Sequence, residues 1–422
     1  MTAPAKPALR RGEVWALSAA TTFAMSISYV DRQTLSVLAP TITKALHISD
    51  AAYGWLGSGF SIAYLIGGPF AGVWIDRVGA RRGLLAGLVL WSAVAALHAL
   101  VPGFAVLFAL RLALGLAESP TFPGGVQAIQ RGLAPADRAR GMSLLFVGMS
   151  LGGMLAPPIA IGVATRFGWR AAFLGTALLA AIWVPCWLAV TAGAATREAL
   201  DDASTDGPRP TMLAVAAHPA VMRGVAGLLA IVPASAFALA WESKYYVRQF
   251  GLTQAALVPY LMASAVAYDL GAIAFGDLAA RRARRRGDDS APRSLVAVGA
   301  ACAAVGLTGL AIAPDARVAV ACFLSSAIGR GAVVTLCNTD ALARVPRSAV
   351  SAAGGVIASV QSLGAIVVNP AVGHAVQGYG YPPALFVLAA WTVPCAAAWL
   401  LWPASRVSEA SVSGAAAAGP ND

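Results

Sequence analysis

The sequence predicts an all-α membrane protein of about twelve transmembrane helices in two pseudo-symmetric six-helix bundles. Three observations carry this expectation. Of the 422 residues, 58% are apolar and only 12% are charged, against about 25% charged in an ordinary soluble domain. Stretches of the roughly 20 apolar residues needed to cross a bilayer core of about 30 Å recur from Trp15 to Trp402. The pattern also repeats: GVWIDRVGARRG follows the second stretch and FGDLAARRARRRG the eighth. Asp76 and Asp277 thus hold matching places about 200 residues apart, as a parallel repeat of two bundles requires.

Lipid satisfies no backbone polar group, so a spanning chain is either helix or closed barrel. Barrel strands alternate polarity over segments of roughly ten residues, whereas LLAGLVLWSAVAALHALV is apolar throughout. Helices are therefore expected near 14–40, 52–75, 83–101, 103–128, 140–163, 170–191, 220–247, 255–278, 294–313, 317–340, 350–373 and 381–402. One long polar interruption, TAGAATREALDDASTDGPRPTM, separates the sixth from the seventh. The organisation read from this pattern is a tail over 1–13, a bundle over 14–191, a linker over 192–219, a second bundle over 220–402 and a tail over 403–422.

The net charge of +11 would point to nucleic acid in a soluble protein, but here the topology rule absorbs it. With the N-terminus cytoplasmic, the inner segments hold 21 of the 30 basic residues, including Arg77, Arg81, Arg82 and the cluster from Arg281 to Arg293. The outer segments hold Lys44, Arg166, Arg170, Lys244, Arg248 and Arg317, and Arg32, Arg111 and Arg330 fall within spans. This bias places both termini inside a bacterial-type inner membrane. The basic start followed by VWALSAATTFAMSISYV resembles a secretory signal, but the further spans that follow point to a first membrane helix. Cys186, Cys302, Cys322, Cys337 and Cys395 lie in apolar spans without metal-type spacing and read as small core residues. The four histidines are scattered, so neither a metal site nor a cofactor is expected.

The loop after the second span contains Gly72, Asp76, Arg77, Gly79, Arg81 and Arg82. A helix-ending glycine, an acid at a helix terminus and several arginines are suited to pairing at one face of the membrane. This run resembles the loop signature of the major facilitator superfamily, and so implies that fold and a gating role for the six residues. A narrower match covers SYVDRQTLSVLAP, ALRLALGLAESPTFPGG, MLAPPIAIG, GWRAAF and NPAVG. Together, in order, they resemble the anion:cation symporter family, which includes bacterial hexuronate and galactonate transporters. The resemblance implies a small organic anion as cargo, a coupling proton, and no cofactor.

A charge at a helix centre costs about 2.5–3.5 kcal/mol, so buried charges face a partner or a cavity. Asp31 and Arg32 are adjacent in the first span and point about 100° apart. One arrangement aims Arg32 at cargo and Asp31 at a neighbouring helix; a purely structural salt bridge is the alternative. Arg111 and Glu118 are seven residues apart, which returns to nearly the same helix face with Cα atoms roughly 10 Å apart. The family resemblance implies a coupled arginine and glutamate here, with Glu118 and Asp31 carrying protons; a fixed ion pair is the competing reading.

Arg330 is expected either to meet the anion or to pair with Asp269. Lys244 either attracts cargo at the outer mouth or snorkels. In the frame AWESKYYVRQ, Glu242 departs from the family pattern. Tyr29 and Tyr64 match tyrosines of the sugar-acid branch and are expected to bind cargo, and Asn369 before Pro370 either breaks the helix or reaches the cargo. Gly68 and Gly148 stand where some sugar-acid carriers have glutamine. Their loss weakens the sugar-acid reading and admits smaller carboxylates or sulfonates.

The expected function is proton-coupled uptake of a small organic anion by alternating access, by a monomer set in membrane lipid and binding no nucleic acid. A proton-driven exporter of the same superfamily is the rival in mechanism. A membrane-embedded enzyme lacks a nucleophile, base and orienter set in this sequence, and a channel would need currents beyond carrier turnover.

Overall fold

The protein is described by a computed structural model over residues 11–201, 215–286, 292–345 and 350–403. The linker residue Ser204 and the basic residues Lys6, Arg10, Arg209, Arg347 and Arg406 lie outside the described residues. The described chain is helical. In order run α1 (Arg11–Val37), α2 (Ala39–Ala45), α3 (Asp50–Val78), α4 (Ala80–Leu97), α5 (Phe104–Glu118), α6 (Thr121–Gly132), α7 (Pro135–Phe167) and α8 (Trp169–Val190). Then follow α9 (Ala194–Asp201), α10 (Pro219–Phe250), α11 (Val258–Arg286), α12 (Arg293–Ile312), α13 (Ala316–Leu342), α14 (Val350–Tyr379) and α15 (Tyr381–Leu401).

Eleven segments are long and apolar enough to span a membrane: α3, α4, the α5–α6 pair, α7, α8 and α10 to α15. Of the remaining helices α1 has the length of a span, its 27 residues reaching about 40 Å. It is less apolar because of its serines, threonines and paired charges. Many of those hydroxyls are absorbed locally: Ser18, Thr21 and Thr34 donate to the carbonyls of Val14, Leu17 and Val30, four residues back. Such back-bonding hides a polar group inside an apolar helix.

The fourth span differs from the uninterrupted helix expected over 103–128. It breaks between α5 and α6 at Ser119 and Pro120, because proline has no N–H to continue the ladder. Glu118 is the last residue of α5, so its carboxylate sits at the break.

By contact, the chain divides into two compact units, Met1–Asp206 with Ser243–Met262, and Gly207–Glu242 with Ala263–Asp422. Each has its own apolar core. In the first, Trp183 and Trp187 stack with centroids 5.0 Å apart, and their indoles donate to the carbonyls of Ala20 (2.7 Å) and Arg81 (3.0 Å). These bonds tie α8 to α1 and to the start of α4. Helices α1 and α7 touch backbone to backbone: a Cβ at Gly148 would lie 2.4 Å from the Thr22 carbonyl oxygen, and one at Gly152 2.4 Å from that of Ser26. Small residues permit this approach.

In the second unit, α11 and α13 make the same kind of contact. A Cβ at Gly331 would lie 2.1 Å from the Tyr268 carbonyl oxygen, and one at Gly271 2.3 Å from that of Ile328. Asp340 joins Arg223 and Arg344 in a buried network, with the Arg223 guanidinium 4.0 Å from the Trp399 ring centroid. This arrangement compensates the burial of three charges with mutual pairing.

Candidate functional site

The first unit gathers four charges from α1 and α5. Glu118 is fully buried and accepts two hydrogen bonds on Oε2, from the Ser28 hydroxyl at 3.0 Å and from Arg32 Nη2 at 3.0 Å. Ser28 and Arg32 are four residues apart on α1, hence on one face, and both aim at the helix break. The Glu118 Oε1 atom has no hydrogen-bond partner.

Arg32 is the accessible member, with 25% of its side chain exposed against none of Glu118. Its guanidinium carbon lies 4.9 Å from the Tyr29 ring centroid, 4.7 Å from Phe60 and 4.7 Å from Tyr64. Three ring faces stabilise the cation without consuming its N–H donors, and its Nε makes no hydrogen bond.

Asp31 turns the other way, toward α4 and α8. It is 2% exposed; Trp91 and Thr176 lie beside it, yet neither of its oxygens closes a hydrogen bond. Arg111 is 3% exposed, sits 5.1 Å from the Phe60 ring, and leaves Nε and Nη1 without partners.

Arg111, seven residues back on the same helix, acts on Glu118 through its charge. Among the described residues the ion pair of Glu118 is with Arg32. The helix ends at Glu118, which turns its carboxylate toward the two donors of α1.

Lys244 also has a definite partner: its Nζ lies 2.6 Å from Asp50 and 4.7 Å from the Tyr53 ring. Arg248 pairs with the same aspartate, and Gln254 donates to the Val37 carbonyl at 2.7 Å. The end of α10 is thereby fastened to α3, and the turn after it to α1, within the first unit.

Arg330 faces Glu242 and Tyr268, with its guanidinium 5.6 Å from the Tyr268 ring. Asn369 is 4% exposed with its side-chain oxygen unpartnered.

In the loop motif, Asp76 accepts from Gln127 of α6 at 2.7 Å. Arg81 pairs with Asp201 of α9 at 3.3 Å and reaches Thr191 at 3.4 Å. Gly79 has φ +84°, and a Cβ there would lie 2.5 Å from the Leu200 carbonyl oxygen, so only glycine fits. Arg77 and Arg82 are exposed, and Gly72 has open space around it.

The two glycines read as missing glutamines have different causes. Gly148 is held by the α1 backbone, whose Ser26 hydroxyl donates to its carbonyl at 3.0 Å. Gly68 has nothing within 4 Å of a Cβ position. Sequence reasoning missed Ser28, Phe60, Asp50, Gln127 and Asp201 as partners, since each is ordinary for its segment; only the i, i+4 spacing of Ser28 and Arg32 was available as a signal.

Helical spans with paired charges buried among them make up a polytopic membrane fold. The sequence profile of the Major Facilitator Superfamily matches residues 21–369, and the chain belongs to that family. Among curated relatives, a galacturonate transporter of Dickeya chrysanthemi is 32% identical over 178 residues, covering 42% of this chain and 52% of that protein. The first such matches thus span about half the length of the relatives or less. A D-galactonate transporter of Escherichia coli O6:H1 is 24% identical over 402 residues, 89% of this chain and 92% of its own. A probable sulfoacetate transporter of Cupriavidus necator is 27% identical over 35% of this chain and 34% of its own. Among solved structures, a bacterial homologue of the human lysosomal transporter Spinster superposes with a TM-score of 0.78 at 18% identity, over 95% of this chain and 100% of that chain. A nucleoside transporter gives 0.71 at 13% identity, over 91% and 99%. These likenesses establish the fold.

Proposed function

We propose that the protein is a proton-coupled importer of a small organic anion, a sugar acid or a smaller carboxylate or sulfonate, working by alternating access as a monomer in the inner membrane with both termini cytoplasmic. The observation that carries this reading is Arg32: partly exposed, held by three aromatic rings, and paired with a Glu118 that is itself fully buried. An anionic cargo competes with Glu118 for the Arg32 donors. A proton on Glu118 removes that competition, because a neutral carboxyl attracts the guanidinium far less. Proton and anion therefore favour one another's binding at one site. Tyr29 and Tyr64 border the same arginine and touch cargo in this reading. Arg111 adds positive potential, and Asp31 is the second acid of the pair of helices. The names of the relatives, which concern galacturonate, galactonate and sulfoacetate, support the anionic class.

The reading is tested with full-length protein in proteoliposomes given radiolabelled D-galacturonate, D-galactonate and sulfoacetate. Uptake of at least one against its gradient, driven by an acidic exterior, is expected. Accumulation driven only by an acidic interior would identify an exporter instead. A ligand binding the folded state also raises its melting temperature, so a thermal-shift series with the same acids ranks them.

A further inference from the structure

The second unit holds another buried acid and arginine that the anion site does not use. Glu242 on α10 and Arg330 on α13 are each 5% exposed. The backbone contact of α11 with α13 at Gly331 and Tyr268 brings Arg330 to the face of α11 that carries Ser264 and Tyr268, themselves four residues apart. The Ser264 hydroxyl lies beside the Glu242 carboxylate, and Arg330 is the charge that faces it. Yet Glu242 Oε1 and Arg330 Nε have no hydrogen-bond partners, and among the described residues no ion pair joins the two.

A structural salt bridge in a low-dielectric interior gains most when its hydrogen bonds close, since that offsets desolvation. Two opposite charges left in sight of each other but open suit a group whose charge comes and goes. The first unit has the same composition in the same places. Asp31 lies on the first span of its half and Arg111 on the fourth, both buried and both with unpartnered atoms. Helices α10 and α13 are the first and fourth spans of the other half, so the parallel repeat extends to the charges.

We propose that Glu242, facing Arg330, is a further proton-carrying carboxylate, in the C-terminal unit. The step is the transfer of one proton between water and a Glu242 carboxylate oxygen. The groups around it are Arg330 from α13, and Ser264 and Tyr268 from α11, with Asp269 next along that helix. On its own helix Lys244 is engaged by Asp50. The consequence for transport, one more proton per cargo, rests on the proton-coupled reading above; the protonation itself does not.

The test is infrared difference spectroscopy of full-length protein in lipid nanodiscs, titrated from acid to alkaline pH without cargo. A protonated-carboxyl band that titrates in the wild type is expected to be missing in Glu242→Gln. In Arg330→Gln, which removes the facing cation, the band should persist to more alkaline pH, and Arg330→Lys should restore the wild-type range. An identical titration in wild type and Glu242→Gln overturns the proposal. If Glu242→Gln does not fold, the arginine variants decide: titrations indifferent to loss of the cation overturn it equally. In proteoliposomes, Glu242→Gln should lower the number of protons moved per D-galacturonate, or per whichever panel acid is taken up, by one. Absence of gradient-driven uptake in the wild type would refute the proton-coupled reading and leave the infrared result to judge Glu242 alone.

Discussion

Replacing Glu118 by glutamine separates coupling from binding. The variant keeps size and an acceptor for Ser28 but removes the negative charge that holds Arg32 at 3.0 Å. A hydrogen bond to a charged group contributes about 1.5–3 kcal/mol. With 25% of the Arg32 side chain exposed, solvent screening reduces this to roughly 1–2 kcal/mol. An anion that had to displace Glu118 should therefore bind Glu118→Gln about 5- to 30-fold more tightly at alkaline pH, where the wild-type acid is ionised. At acid pH the two proteins should converge. Calorimetry with the panel acid that stabilises the wild type most measures the affinity, and vesicles loaded with that acid compare exchange with gradient-driven uptake. Exchange should survive while accumulation driven by a pH gradient falls. Equal affinity at alkaline pH, or full uphill uptake, would refute the competition between Glu118 and cargo. A loss of folded protein would assign the pair a structural role, because an unmatched buried charge destabilises the fold.

Further outcomes follow from the same geometry. Arg32→Lys keeps the charge but loses the planar fork, so anion affinity should fall by about 10-fold or more, equivalent to about 1.4 kcal/mol, with the melting temperature near wild type; undiminished affinity would remove Arg32 from the site. Gly68→Gln should be accommodated in open space, whereas Gly148→Gln, with its Cβ 2.4 Å from the Thr22 carbonyl oxygen, should lower the melting temperature; equal stability of the two would contradict the α1–α7 contact. Gly79→Ala should cost about 1–3 kcal/mol from backbone strain alone and loosen α9, measurable as faster proteolysis after Asp201. Reagents that cannot cross the membrane should not label tags at Thr2 or Ser204 in intact cells, and labelling of either would reverse the orientation.

Composition and periodicity determined the membrane class and the order of the apolar helices, because twenty apolar residues in lipid have one economical conformation. The sequence also made Asp31, Arg32, Arg111, Glu118, Glu242 and Arg330 conspicuous against apolar surroundings. It did not determine who pairs with whom. Helical spacing put Arg111 and Glu118 on one face, but the ion pair of Glu118 is with Arg32, because Pro120 ends the helix there and α1 supplies two donors from another part of the chain. Lys244 met Asp50, about two hundred residues distant, for the same reason. Spacing along one helix constrains direction, but the partner of a buried charge is fixed by which backbones can approach. That approach depends on contacts such as Gly148 against Thr22 and Gly331 against Tyr268, which only the packed tertiary structure brings together.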